Sequence, residues 1–428
     1  MKIVQYPDRK EWARLTERPQ INDTQLQETV GRILDDVRRH GDEAVKRYEA
    51  KFDHAVLDSL VVGQAEIEAA RAAVAPDLLD AMLLAHRNIA TFHAAQRFDT
   101  RKIETAPGVT CWQKSIPIER VGLYVPGGTA PLFSTVFMLA TPAKIAGCRE
   151  TVLCSPPDAT GKIADAILVA ASIAGVDTIY KIGGAQAIGA MAYGTESVRR
   201  VYKIFGPGNR YVMAAKQQVS LRDVAIDMPA GPSEVCVIAD ESSCAEFVAA
   251  DLLSQAEHGA DSQVLLITPS EAMLTAVIGE TERQLASLPR REIAQKALGN
   301  SCAVLVHSLQ EAIQLSNAYA PEHLIVAVDR FDRIEHDIVN AGSVFLGSYA
   351  CESAGDYASG TNHTLPTHGY ARAYSGVNLD SYQRKITFQH LTPEGVQSIG
   401  PAVELMAENE QLEAHAAAMR IRMKQPKA

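Results

Sequence analysis

From about residue 119 the chain alternates short apolar runs with helix-length segments, and this alternation limits its fold more than any other feature. Candidate strands fall at 152–154, 178–182, 200–204, 235–238, 264–267, 303–306, 324–328 and 343–346. Short apolar strands separated by helices predict parallel sheets with helices on their faces, because neighbouring parallel strands need a crossover to connect them. The strands form two runs, about 119–227 and 235–347, joined by the Pro/Gly-rich stretch IDMPAGPSE. The expected fold class is therefore α/β, with two doubly wound Rossmann-like domains, a helical N-terminal region and a C-terminal helical tail. A chain of 428 residues is long enough for two or three domains.

Residues 22 to about 100 read as helix throughout, with Asn22 and Asp23 as caps and Pro76 opening a further helix. The expected organisation is an arm at 1–20, a helical segment at 21–120 packing with 236–377 as the larger α/β domain, a second α/β domain at 121–235, and a polar helical tail at 378–428. A polar tail without a strand of its own is suited to docking on a partner subunit or another domain.

A net charge of −10, with no Lys/Arg-rich block to offset it, argues against a duplex nucleic-acid binder and leaves a small molecule as the expected partner. The first residues, MKIVQYPDRKEW, place charges where a signal peptide needs an apolar core, and 18 apolar residues never run uninterrupted. A cytoplasmic, membrane-free protein is expected. Seven scattered cysteines without a C-x-x-C pair indicate neither a disulfide framework nor a zinc ribbon.

Several stretches carry groups suited to chemistry. In SQAEHGADSQ, Gln255 and His258 are three apart, so on a helix they share a face and can grip one ion or ligand; the same residues before Gly259 also make an ordinary helix end. In open α/β sheets ligands lie beyond the carboxyl ends of strands. Three glycine-rich turns occupy that position: YVPGGTAP after Tyr124, IGGAQAIG after Ile182 and IFGPGNRY after Ile204. They suggest a nucleotide or phosphate site built from backbone N–H groups, although G-x-G-x-x-G is missing and each turn alone is also a tight βα connection. In YAPEHLIV, Glu322 and His323 adjoin; on the irregular turn after Pro321 both can face one cavity, where an imidazole and a carboxylate suit proton transfer and water activation. The loop-like ESAGDYASGTNHTLPT carries Asp356 and His363, and Glu410 and His415 lie five apart near the end.

Taken in order, LYVPGGTAPLFSTV, GGAQAI, KIFGPGN, IDMPAGPSEV, DLLSQAEHGADSQV, PEHLI, AGSVFLG and ESAGDYASGTNHTLPT resemble the histidinol dehydrogenases, collinearly from about residue 20 to His415. The resemblance implies a zinc-dependent homodimer that oxidises L-histidinol to L-histidine through the aldehyde with two NAD. It implies Gln255, His258, Asp356 and His415 as metal ligands, and makes 121–235 the NAD domain, with Tyr124, Gln186 and Asn209 as cofactor contacts. Substrate contacts would be Ser233, Glu410 and His323 together with the metal ligands. His323 would take the hydroxyl proton and Glu322 would activate water for the second oxidation. The tail would complete the site of the partner subunit. Two other readings compete: a related zinc and NAD dehydrogenase of another small polar alcohol, such as a sulfonated diol, against which the anionic Glu410 speaks, and a zinc hydrolase, which lacks H-E-x-x-H and leaves the glycine-rich turns without a role.

Overall fold

The computed structural model describes residues 1–18, 24–127, 131–229 and 231–424. Asn22 and Asp23, expected as caps, lie outside them, as do parts of YVPGGTAP and IDMPAGPSE. The chain opens with β1 (Lys2–Gln5) and the short α1 (Trp12–Leu15), followed by three longer helices, α2 (Thr24–Phe52), α3 (Gln64–Ala73) and α4 (Pro76–Ala94). Pro76 takes the first turn of α4, where its missing N–H costs nothing. Two antiparallel strands follow, β2 (Lys102–Ala106) and β3 (Val109–Pro117).

The first α/β run contains β4 (Arg120–Tyr124), α5 (Phe133–Ala146), β5 (Glu150–Ser155), α6 (Asp165–Ala174), β6 (Thr178–Lys181), α7 (Gly184–Tyr193), β7 (Lys203–Phe205), α8 (Arg210–Ser220) and β8 (Ala225–Ile226). Its sheet is parallel with order β6-β5-β4-β7-β8. The second run contains β9 (Glu234–Ile238), α9 (Ala245–Ala256), β10 (Gln263–Thr268), α10 (Glu271–Leu285), α11 (Arg291–Gly299), β11 (Cys302–Leu305), α12 (Leu309–Tyr319), β12 (His323–Val326), β13 (Ser343–Leu346) and α13 (Glu352–Tyr357). Here the order is β1-β11-β10-β9-β12-β13, again parallel. Within each run the strands lie in the order third, second, first, fourth, fifth, so each sheet reverses direction between its first and fourth strands. Both central strands, β4 and β9, are buried almost throughout, as two-faced coverage by helices requires. The parallel α/β organisation expected from the strand alternation is thus present.

The helical segment packs differently from expectation. Leu26, Val30, Ile33 and Val37 of α2 share one core with Val152, Ile182, Ile188 and Val212 of the first sheet and its helices. Ala70 of α3 and Met82 and Ile89 of α4 share another with Phe137, Leu139 and Ile167 on the opposite face. The segment therefore covers 121–235 and not 236–377. The reason is occupancy: both faces of the second sheet are already filled, one by residues of α9, α10 and α11 and the other by α12 with Trp12 and Leu15 of α1. Edge contacts from α4 reach across, Asn88 Nδ2 donating to the carbonyl of Ala358 at 2.8 Å and His93 Nε2 lying 3.4 Å from the Asn362 amide nitrogen.

Further strands were not anticipated: β2 and β3 take up the end of the segment expected as helical, 21–120, and β8 adds a short edge strand to the first sheet. The arm contributes β1 to the second sheet, paired in parallel with β11. β14 (Gln383–Leu391) pairs antiparallel with β3, which pairs with β2, giving a small separate sheet at the root of the tail. The tail ends in α14 (Pro393–Asn409) and α15 (Glu413–Met423). Among the described residues no helix is long and apolar enough to cross a membrane.

Candidate active site

The three glycine-rich turns sit at the carboxyl ends of β4, β6 and β7. Tyr124, buried at the end of β4, accepts a hydrogen bond on its hydroxyl from the Gly184 N–H at 3.1 Å. Gln186, in the first turn of α7, is also buried and donates through Nε2 to Glu49 of α2 at 2.8 Å. Asn209 caps α8, its Oδ1 accepting from the N–H groups of Tyr211 and Val212 at 3.0 and 3.2 Å. Gly206 has φ +125°, and a Cβ there would stand 2.1 Å from the carbonyl oxygen of Tyr124, so this turn accepts only glycine. Behind it, Lys216 Nζ bonds to the Gly206 carbonyl at 2.7 Å and to Asp227 at 2.6 Å, both side chains 1% exposed.

The Glu-His pair lies at the opposite end of the second sheet, where strands begin. His323 is the first residue of β12 and lies beside Val235 of β9 and Ser343 of β13. Ser233 precedes β9 at the same edge. α9 runs back along the sheet, so its last turn brings Gln255 to this amino edge, with His258 just beyond. α13 likewise returns toward it, carrying Glu352 and Asp356 one turn apart on one face. A second departure from expectation follows: only the glycine-rich turns obey the carboxyl-end rule, because Glu322 and His323 sit where a strand starts.

His323 is buried among carboxylates. Its Nε2 is 3.6 Å from Asp356, and its Nδ1 is 3.7 Å from Glu352 and 3.8 Å from Glu322. Burial alone would lower its pKa, but Glu352, Glu322 and Asp356 outweigh it and push the imidazole up to about 10. Burial pushes Glu322 up to about 8 even though His323 and the Glu234 N–H, 2.9 Å away, favour the carboxylate. Gln255 turns its amide nitrogen to Nδ1 of His323 at 3.2 Å, which leaves its carbonyl oxygen for another partner.

His258, Glu352 and Asp356 each offer one atom to a common point, all three within 4.8 Å of one another. Oε2 of Glu352 and Oδ1 of Asp356 are buried without a hydrogen-bond partner. Unpaired buried carboxylate oxygens beside an imidazole are the donor set a divalent cation satisfies, so these residues fit a metal. His258 is open to solvent on one side, and crowding by protein on the others lowers its pKa. Glu352 is the residue that sequence reasoning missed; its i, i+4 spacing from Asp356 was the available signal.

The two edges face each other. His363, in the loop after α13, approaches Thr135 Oγ1 at the start of α5 at 3.5 Å, and α5 follows the first glycine-rich turn. The histidinol dehydrogenase family model matches residues 16–423. The chain belongs to the histidinol dehydrogenase family. Histidinol dehydrogenases of Bacteroides fragilis and Bacteroides thetaiotaomicron are 61% and 62% identical to it over 425 and 423 residues, with 99% of each chain covered. A solved histidinol dehydrogenase from Elizabethkingia anophelis superposes with a TM-score of 0.97 at 52% identity, covering 99% of this chain and 98% of that one. Membership in the histidinol dehydrogenase family makes the chain an NAD-dependent oxidoreductase.

Of the residues that the family resemblance singles out, this chain brings Gln255, His258, Glu322, His323 and Asp356 together and sets Ser233 at their edge. Tyr124, Gln186 and Asn209 gather on the facing turns. Glu410 and His415 stand apart. Both are exposed on the tail, and among the described residues His415 is not part of the His258–Glu352–Asp356 group.

Proposed function

We propose that the cleft between the two sheets oxidises L-histidinol to L-histidine by way of the aldehyde, as the last steps of histidine biosynthesis, in a cytoplasmic homodimer. The observation that carries this reading is the meeting of two dissimilar edges: glycine-rich turns on one side, a proton-transfer pair beside a cation-ready donor set on the other. On this reading the two α/β runs act as Rossmann-like units, the first binding the nucleotide.

Gln255, His258 and Asp356 would hold a zinc ion with His415 of the partner subunit, and Tyr124, Gln186 and Asn209 would hold NAD. When bound, the zinc supplies a Lewis-acidic anchor for the substrate's amino and imidazole nitrogens, and NAD supplies the hydride acceptor. The protein's own side chains manage protons and position. In its neutral form His323, which the three carboxylates make a stronger base, takes the hydroxyl proton as the alcohol is oxidised, and the same carboxylates stabilise the resulting imidazolium. Glu322, whose raised pKa makes it a stronger base when ionised, activates the water that converts the aldehyde to its hydrate before the second oxidation. Glu410 of the partner subunit would offer a hydrogen-bond acceptor to the substrate's N–H groups and a counter-charge to the cationic metal–substrate pair. The exposed Leu405, Met406, Leu412 and Ile421 of the tail support a role for it in subunit contact.

The decisive experiment is absorbance of reduced nicotinamide with histidinol, in parallel with sulfonated diols and after chelation. Two equivalents of reduced cofactor per histidinol, loss on chelation and recovery with zinc are expected. Turnover of the diols in place of histidinol, or full activity without metal, would overturn the reading.

A further inference from the structure

Arg18, at the end of the arm, is a buried cation. Its side chain is 8% exposed and forks onto Glu234, 2% exposed, with Nε to Oε1 at 2.9 Å and Nη2 to Oε2 at 2.8 Å. The guanidinium lies 3.7 Å above the ring of Tyr319, and Nη2 reaches toward the Ala320 carbonyl at 3.5 Å. A second arm contact, Nη1 to the Thr16 carbonyl at 3.1 Å, fixes the guanidinium's own position.

Glu234, Tyr319 and Ala320 are each coupled to Glu322. Glu234 gives its backbone N–H to Glu322 Oε2 at 2.9 Å, and its side chain also accepts from the His368 N–H at 2.9 Å. Tyr319 and Ala320 end α12 and lead into Glu322 through Pro321. Ala320 has φ +53°, a left-handed conformation that a non-glycine residue holds only when its surroundings impose it. Arg18 therefore grips both the residue that hydrogen-bonds Glu322 and the turn that delivers it. A planar, bidentate, stacked guanidinium suits this task where a lysine would keep only the charge.

We infer that Arg18 is a positioning residue for Glu322: the N-terminal arm acts as a strap that fixes the water-activating carboxylate through Glu234 and the Tyr319–Ala320 turn. The inference rests on the role proposed above for Glu322. Arg18 does not touch substrate or cofactor.

The test measures alcohol and aldehyde oxidation separately in the full-length dimer for Arg18→Met, Arg18→Lys, Glu322→Gln and the double variant Arg18→Met/Glu322→Gln. Arg18→Met should lower kcat for aldehyde oxidation about tenfold, with KM for NAD within about twofold of native, and Arg18→Lys should recover part of the loss. In the double variant Arg18→Met should cost no more than about twofold beyond Glu322→Gln alone, because a carboxylate already removed cannot be misplaced. Losses that multiply in the double variant, or an Arg18→Met effect confined to NAD affinity, overturn the inference. If Arg18→Met does not fold, Glu234→Gln replaces it in the same cycle, since it keeps the backbone N–H to Glu322 while releasing the ion pair. Failure of the underlying reading is separate: it appears as a Glu322→Gln variant that damages both oxidations equally, whereas the non-additivity tests the coupling whichever step Glu322 serves.

Discussion

Replacing Lys216 with methionine tests whether the turn carrying Asn209 is held from behind. Lys216 and Asp227 are each 1% exposed and 2.6 Å apart, so the substitution strands a carboxylate inside the protein and deprives the Gly206 carbonyl of its 2.7 Å donor. Breaking a buried ion pair by removing one partner costs roughly 3–5 kcal/mol. Asp227 keeps two backbone donors, Gly206 N–H and Met228 N–H, both at 2.8 Å, which places the expected cost at the low end, about 3 kcal/mol. That is about two decades in the unfolding equilibrium. The assay is urea unfolding of native and variant protein at equal concentration, read as a shift in midpoint at unchanged slope, alongside the Kd for NAD. Stability should fall and NAD should bind several-fold more weakly, since the φ +125° glycine loses its brace. Lys216→Met/Asp227→Asn should recover part of the stability, because the stranded charge is gone. A loss below about 1 kcal/mol, or a double variant as unstable as the sum of its parts, would refute the argument that an unsolvated pair pins this turn.

Glu322→Gln should cripple aldehyde oxidation far more than alcohol oxidation, whereas His323→Asn should chiefly slow the first; separate assays with the two substrates decide it. Co-refolding His258→Ala with His415→Ala should restore roughly a quarter of native activity if sites are shared between chains, because half the dimers are mixed and each has one intact site of two; no recovery in demonstrated mixed dimers excludes sharing. Burial lifts the Glu49 carboxyl from its ordinary value of 4.5 to about 8. The folded state therefore keeps a proton that the unfolded chain releases, and this contribution, complete below about pH 4.5, declines as pH rises to about 8. Glu49→Gln, which cannot lose a proton, should gain stability relative to native as pH rises from 5 to 8 and no further above it; a constant difference across that range in urea melts contradicts the assignment.

The strand alternation was legible because fully buried parallel strands are short continuous apolar runs, and β9 and β10 are such runs. The turn after Ile204 was legible because its glycines mark a tight βα connection, whereas the closeness of Gly206 to the Tyr124 carbonyl and the capping of α8 by Asn209 were not. The packing of α2, α3 and α4 was not, since an amphipathic helix announces that it has a partner and not which sheet supplies it. β14 escaped because its exposed and half-buried residues lack the apolar run of a core strand. The site's position at the amino edge of the second sheet was hidden for a related reason: it depends on α9 and α13 running back along the strands, a tertiary fact that the spacing of Gln255 and His258, or of Glu352 and Asp356, does not contain.

The pairing of β1 with β11 also sets an order of assembly. Residues 2–5 find their neighbour only at 302–305, so at a synthesis rate of about 5–20 residues per second the first strand waits roughly 15–60 s for its place. By then β4 to β8 and the three helices that cover them have been made, and their core awaits only Val377, Leu379 and Tyr382. The second sheet closes last, and with it the edge that gathers Gln255, His323 and Asp356. A chain stalled or cut near residue 300 would thus contain every glycine-rich turn and lack Glu322, His323 and Asp356, with the backbone of β1 left unpaired and open to another chain.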